Sequence, residues 1–95
     1  MSRIRWTQQA ANDLESILEF IARDSSVYAD HTIEKLLAAA EQLIDFPNSE
    51  RRVPERPRSD LREQIQPPFR IVYRQQGDDI EILTVFHSAR LFLES

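Results

Sequence analysis

Residues 69–87, which read FRIVYRQQGDDIEILTVFH, decide the fold. Two runs rich in aromatic and β-branched residues, Phe69–Arg74 and Ile80–His87, are typical of β-strands. Between them, Gln75–Asp79 surrounds the single glycine of the chain and is typical of a turn. The stretch therefore predicts an antiparallel β-hairpin whose loop spans residues 75–79.

The chain before this hairpin has helical periodicity. Thr7 is a candidate N-cap, and apolar residues recur at helical spacing after it, which predicts a helix over residues 8–23. A second helix is capped by Ser25 or Ser26 and ends at Phe46–Pro47, because the residue before a proline avoids the α region. The short connection between the two helices predicts an antiparallel helical hairpin.

The remaining segments add strands and a loop. Arg3–Trp6 alternates polar and apolar residues, as does Leu61–Ile65 more loosely, and each predicts a strand. Residues 47–60 are rich in proline and arginine and predict a loop. The order predicts a single α+β domain over residues 1–95: an N-terminal strand, the helical hairpin, then a three-stranded antiparallel meander, with the first strand joining the sheet and the helices on one face. Candidates for the sheet side of the core are Trp6, Leu61, Ile65, Ile71, Tyr73, Ile82 and Val85.

Composition excludes several classes of protein. The chain has 95 residues and no cysteine, which excludes disulfide scaffolds and cysteine-ligated metal sites. Its two histidines, His31 and His87, stand in no cluster of metal-ligating residues, so we expect neither a metal nor a cofactor. No apolar run reaches the ~20 residues of a membrane span, and the first residues lack the apolar core of a signal peptide. We therefore expect a cytoplasmic protein that does not contact the membrane.

The charge of the chain is unevenly distributed. The net charge is −4, which argues against a general nucleic-acid binder, yet residues 51–76 hold seven basic and three acidic groups, net +4. Arginine supplies all of the basic groups in this segment. The segment is either a surface that binds an acidic partner through bidentate contacts or a solvated surface of internal ion pairs.

Five short motifs follow one another along the chain. They are Trp6 ahead of Ala10, Asp13-Leu14 and Ile17, Leu43 four residues before Pro47, Arg62-Glu63, the run Phe69–Arg74, and the run Asp79–His87 followed by Arg90. Taken in this order, the motifs resemble the RelE/ParE superfamily, the toxins of bacterial type II toxin–antitoxin modules, also called plasmid stabilisation proteins. The resemblance covers nearly the whole chain. The chain is more similar to the ParE branch, because its predicted helical hairpin is long.

The resemblance implies a fold, a partner and a target. Such toxins are neutralised by an antitoxin whose C-terminal segment folds on the toxin and whose N-terminal part binds operator DNA, so the toxin meets DNA only indirectly. ParE-type members arrest growth by binding DNA gyrase without catalysing a reaction themselves. In this sequence the predicted partner-binding residues are Arg51, Arg52, Arg56, Arg58, Arg74 and Arg90.

An alternative that the resemblance leaves open is a RelE-type endoribonuclease, which cleaves mRNA on the ribosome without a metal. Its catalytic residues would be His87 as an acid or base and Arg70 and Arg62 as cationic stabilisers, while Glu55 is loosely similar to a general base. Ser88 stands where some RNA-cleaving relatives have tyrosine, the lysine cluster of such relatives is missing, and the chain is acidic. A third alternative is a non-toxic member that only binds the antitoxin. Arginines converging on His87 would favour RNA cleavage, whereas arginines paired with carboxylates would favour binding.

Overall fold

The computed structural model describes residues 3–47 and 51–89. Two helices lie against a mixed five-stranded sheet with the strand order β1-β5-β4-β3-β2. Strand β1 is parallel to β5, and every other neighbouring pair is antiparallel. The elements are β1 (Ile4–Trp6), α1 (Gln8–Ala22), α2 (Ser26–Asp45), β2 (Arg51–Arg52), β3 (Arg62–Gln66), β4 (Phe69–Gln76) and β5 (Asp79–His87).

Both helices begin at the predicted caps. The hydroxyl of Thr7 accepts a hydrogen bond from Ala10 N at 3.2 Å, and that of Ser25 accepts one from Tyr28 N at 3.1 Å. Each hydroxyl satisfies an amide that has no partner within its helix. Among the described residues, neither helix is both long and apolar enough to cross a membrane.

The main core lies between the helices and one face of the sheet, here called the front face, which presents Ile71, Tyr73 and Ile82. These three side chains are fully buried. The hydroxyl of Tyr73 donates to Pro47 O at 3.0 Å, which satisfies the one polar atom of this side chain. From the helices the core takes Ala10, Leu36, Ala39, Ala40 and Leu43, with Leu14, Ile17, Ile21 and Ile33 packed against it.

A smaller core covers part of the opposite face, here called the back face. Residues 53–61, here called the strap, place Val53 and Leu61 against Val72 and Phe86. The predicted burial of Leu61 is therefore right, although this residue packs behind the sheet. The predicted core position of Ile65 is wrong, since its residue surface is 40% exposed. Ile65 lies opposite Arg70 in the ladder, on the back face, whereas the front position next to Ile71 belongs to Gln64.

Two predicted loops are shorter than expected. Strand β4 continues to Gln76 and β5 begins at Asp79, so a two-residue turn replaces the predicted loop over residues 75–79. Gly77 is the first turn residue and has φ of 61°, a left-handed conformation that glycine adopts without a steric penalty. Strand β2 lies within the predicted loop 47–60 and pairs with β3.

The burial of these side chains predicts a matched pair of outcomes. Ile71→Ala should lower the free energy of unfolding by about 2–5 kcal/mol, because it leaves a cavity in the main core. Ile65→Ala, the same deletion on the back face, should cost less than about 1 kcal/mol, because water already reaches this side chain. Urea unfolding followed by circular dichroism measures both variants. Equal losses would contradict the assignment of the two faces.

Candidate functional site

Arg70 lies at the centre of a buried ion-pair network on the back face. Its side chain is 6% exposed, and the side chain of Glu63 is 0% exposed. Arg70 Nε donates to Glu63 Oε1 at 2.8 Å, and Nη2 donates to the same oxygen. Arg70 Nη1 and Nη2 donate to the two oxygens of Glu55 at 2.8 and 2.7 Å, which is a bidentate arrangement. The guanidinium also stacks 5.0 Å from the ring centre of Phe86.

The carboxylates of Glu55 and Glu63 compensate the positive charge of Arg70. Its hydrogen bonds to Glu55 raise the pKa of Arg70 above the ordinary value; burial lowers this pKa, and Glu63 raises it again. Arg51 extends the network, because its Nε and Nη2 each lie 2.5 Å from Glu63 Oε2. A back-face cleft of about 420 Å³ borders Arg51, Glu55 and Arg70. In this arrangement Arg70 binds carboxylates of the chain itself, in the bidentate geometry that a phosphate would otherwise take.

His87 lies on the other face of the sheet from Arg70. Its ring meets that of Phe69 edge to face, with ring centres 6.2 Å apart, and its Nδ1 accepts a hydrogen bond from Ala89 N at 3.1 Å. Phe69 pairs with His87 in the ladder, and Arg70 pairs with Phe86. Since neighbouring residues of a strand point to opposite faces, His87 faces the front and Arg70 the back.

Arg62 lies apart from both other candidates for catalysis. Arg62 pairs with Tyr73 of β4, whereas His87 pairs with Phe69 of the same strand. Tyr73 and Phe69 are four residues apart along β4. Four residues of strand separate those positions by roughly 13 Å. Arg62 borders a small cleft with Arg52. The structure therefore brings Arg70 together with Glu55 but does not bring Arg70, Arg62 and His87 together.

The predicted partner-binding arginines are dispersed over the surface, and several of them bind acceptors within the fold. Arg51 pairs with Glu63, and Arg52 donates to Ser59 O at 2.6 Å. Arg74 donates to Glu81 at 2.9 Å, and Arg5 binds the same carboxylate at 3.2 Å. Of the others, Arg58 is exposed, Arg56 is half-buried, and Arg90 lies outside the described residues.

An apolar groove on the front face is a feature that the sequence reasoning missed. Its volume is about 710 Å³, and its walls come from the tip of the helical hairpin and from the ends of β4 and β5. Phe20 is 68% exposed and Tyr28 is 60% exposed, which is unusual for large apolar rings. The signal in the sequence was two aromatic residues beside the predicted helix break. We call this apolar groove the hairpin groove. Its lining includes Ile17, Phe20, Tyr28, Phe69, Val85 and His87.

Residues 3–47 and 51–89 contain no group of three or more histidine, aspartate or glutamate side chains arranged to hold a metal ion.

Comparisons with known proteins agree on one family. A family model described as the ParE toxin of the type II toxin–antitoxin system parDE matches residues 4–92. The toxin RelE2 of Caulobacter vibrioides is 30% identical over 92 residues, 96% of this chain and 100% of that protein. Y4kP of Sinorhizobium fredii is 36% identical over 88 residues, 90% of this chain and 88% of that protein. A solved structure of the chromosomal ParDE TA system from P. aeruginosa matches with a TM-score of 0.78 at 24% identity, over 92% of this chain and 96% of that one, which confirms the predicted α+β fold.

The ion-pair network predicts that loss of the carboxylate charge lowers the free energy of unfolding more at Glu63 than at Glu81. Glu63→Gln should lower the free energy of unfolding by about 3 kcal/mol, because it leaves buried positive charge without one of its partners. Glu81→Gln is the matched control, since Glu81 also binds two arginines on the back face, but its side chain is 16% exposed and those of Arg5 and Arg74 are 45% and 37% exposed. It should cost about 1 kcal/mol or less. Urea unfolding of both variants at neutral pH measures the difference, and equal costs would contradict the structural role of Arg70.

Proposed function

The chain belongs to the ParE toxin family of type II toxin–antitoxin systems, and on this premise we propose that it inhibits DNA gyrase by binding. The predicted relation to the RelE/ParE superfamily is confirmed by the same comparisons. In this proposal one toxin domain over residues 1–95 acts in the cytoplasm and is neutralised by a cognate antitoxin. It approaches operator DNA only through that antitoxin. Such a toxin needs an interaction surface and no catalytic residues.

The pairing of Arg70 supports binding over catalysis. A cationic group that stabilises a phosphate transition state must be directed at the substrate. The guanidinium of Arg70 is instead directed at Glu55 and Glu63 within the fold. His87, the candidate acid or base, faces the opposite side of the sheet. This is the paired arrangement of arginines that favours a non-catalytic role.

The charge of the chain points the same way. Attraction to a polyanion such as the ribosome falls steeply as net positive charge is removed. The chain has a net charge of −4, and Arg51, Arg70 and Arg74 of its basic segment bind carboxylates. Binding of a protein partner does not require a cationic protein.

The hairpin groove supports a protein partner on the front face. Large exposed apolar patches in small proteins mark interaction sites, and aromatic residues are frequent anchors in them. Phe20 and Tyr28 border this groove with most of their surface exposed. An antitoxin segment that folds on binding would bury these rings, and the exposed arginines of residues 51–58 would bind its acidic side chains.

Ribosome-dependent cleavage of mRNA is the second candidate, because a relative that aligns over its full length is named toxin RelE2. His87 is exposed at the end of β5, where it is accessible for proton transfer. Arg70 and Arg62 would then have to be redirected towards the substrate. We rank this candidate second because the geometry of Arg70 opposes it.

The target can be tested in vitro with purified gyrase and with a translating extract. We expect the chain to make gyrase accumulate cleaved plasmid DNA, while an mRNA in a translating extract stays intact. His87→Ala should leave gyrase inhibition in place, since no proton transfer is involved. Cleavage of the mRNA, with a loss of ~10²-fold or more in His87→Ala, would instead identify a ribonuclease. No effect on either target would favour the non-toxic alternative.

The antitoxin site can be tested with a pair of phenylalanines. Phe20→Ala should weaken binding of a cognate antitoxin by about 2 kcal/mol or more, as expected for a central aromatic anchor. Phe46→Ala is the matched control, because Phe46 is 63% exposed at the end of α2 and does not line the hairpin groove. Calorimetric titration with the purified antitoxin measures both. Equal effects would place the antitoxin elsewhere on the toxin.

A further inference from the structure

Strand β5 contains one residue more than its partner. Ile82 lies opposite Tyr73, but the next pair in the ladder joins Thr84 to Val72. Leu83 is therefore an extra residue, a β-bulge that interrupts the alternation of the strand.

The bulge changes which residues of β5 face the helices. Before it, the even positions Ile80 and Ile82 belong to the front core. After it, the odd position Val85 does, while Leu83 and Phe86 pack in the smaller core on the back. His87 follows Val85 onto the front face and meets Phe69 there. Because of the bulge, His87 borders the hairpin groove.

Hydrophobicity alone does not select this register. Without the bulge, Thr84 and Phe86 would face the helices, and Val85 would pack behind the sheet beside Leu83. Both arrangements place apolar residues on both faces, so burial distinguishes them weakly. When burial specifies a register only weakly, an additional interaction can fix it.

Polar side chains of the first helix supply that interaction. Asp13 Oδ2 accepts hydrogen bonds from Val85 N at 3.0 Å and from the hydroxyl of Thr84 at 2.5 Å. Thr7, at the N-cap of the same helix, donates its hydroxyl to the carbonyl oxygens of Ile82 and Leu83 at 2.9 and 3.1 Å. Every residue from 82 to 85 is thus held from one side by α1 or its cap. Strand β1 ends opposite Ile82, so past that residue Asp13 takes the place of a neighbouring strand.

We propose that Asp13 is a positioning residue, whose carboxylate holds the bulge at Leu83 and thereby sets His87 on the front face of the sheet. Without it, the end of β5 shifts by one residue into a regular ladder. Phe86 then lies opposite Phe69 and turns inward, and His87 leaves the hairpin groove. The placement of His87 is in this way controlled from α1 as well as by its pairing with β4, beside which Ser88 N donates to Pro68 O at 2.7 Å. The assignment does not depend on which molecule the toxin inhibits.

The ring contacts of Phe69 report the register in the full chain. In the unmodified protein we expect nuclear Overhauser effects between the rings of Phe69 and His87, and slow hydrogen exchange at the Val85 amide. Asp13→Ala should transfer the Phe69 contacts to Phe86 and remove the protection of Val85. Asp13→Asn should preserve both signals, because an amide oxygen still accepts two hydrogen bonds. Glu15→Ala is the control, an exposed carboxylate of the same helix.

Deletion of Leu83 separates the positioning role from a general role in stability. The deletion removes the extra residue, so an ordinary ladder already pairs Val85 with Ile71 and His87 with Phe69. In that background Asp13→Ala should keep the contact between Phe69 and His87, even where the single variant fails to fold. A folded Asp13→Ala chain with this contact intact would overturn the proposal. So would a double variant that stays unfolded, or an Asp13→Asn chain that loses the contact.

Discussion

A guanidinium buried in the central strand constrains the rest of the sheet, because an uncompensated interior charge costs several kcal/mol. Arg70 is in this position, between Phe69 and Ile71 of β4, which are both buried in the front core. One compensating carboxylate, Glu63, comes from the adjacent strand, and the other, Glu55, comes from the strap. Arg70 is satisfied only when β3 is paired and the strap is closed. Its ion pairs therefore link the two-residue strand, the strap and the back core into one arrangement with β4.

The same ion pairs change how the positive charge of residues 51–76 is to be interpreted. Counted along the sequence, residues 51–76 carry a net charge of +4. In the fold, Glu63 holds Arg51 and Arg70, and Glu81, from outside the segment, holds Arg74. An excess of basic residues along the chain is therefore not an equal positive potential on the surface. In the proposed function, recognition of a partner therefore rests more on the shape and apolar rings of the front face than on a cationic patch.

The two helices and the β-hairpin formed by β4 and β5 could be predicted because their signals are local. Apolar periodicity and the caps Thr7 and Ser25 lie within single elements, and the helices begin where these residues indicate. The facing of strand residues is not local, because it depends on register. The predicted core position of Ile65 is wrong for this reason, and the apolar run around Leu83 contains no signal for a bulge. The sequence does not predict the hairpin groove because its walls come from elements far apart in sequence, and Glu55 reaches Arg70 across 15 residues.

The separation of Arg70 and His87 onto two faces affects how substitutions in this family member are interpreted. Arg70 is buried with two carboxylates, so its replacement should lower the free energy of unfolding by about 3–5 kcal/mol, whatever its effect on any chemistry. Loss of toxicity in such a variant does not distinguish catalysis from stability. His87 is exposed and has no ion-pair partner among the described residues, so its replacement changes the groove while leaving the core intact. A functional effect at His87 therefore reports on the front face, either on the partner that binds there or on proton transfer, and the back face has to be studied through stability.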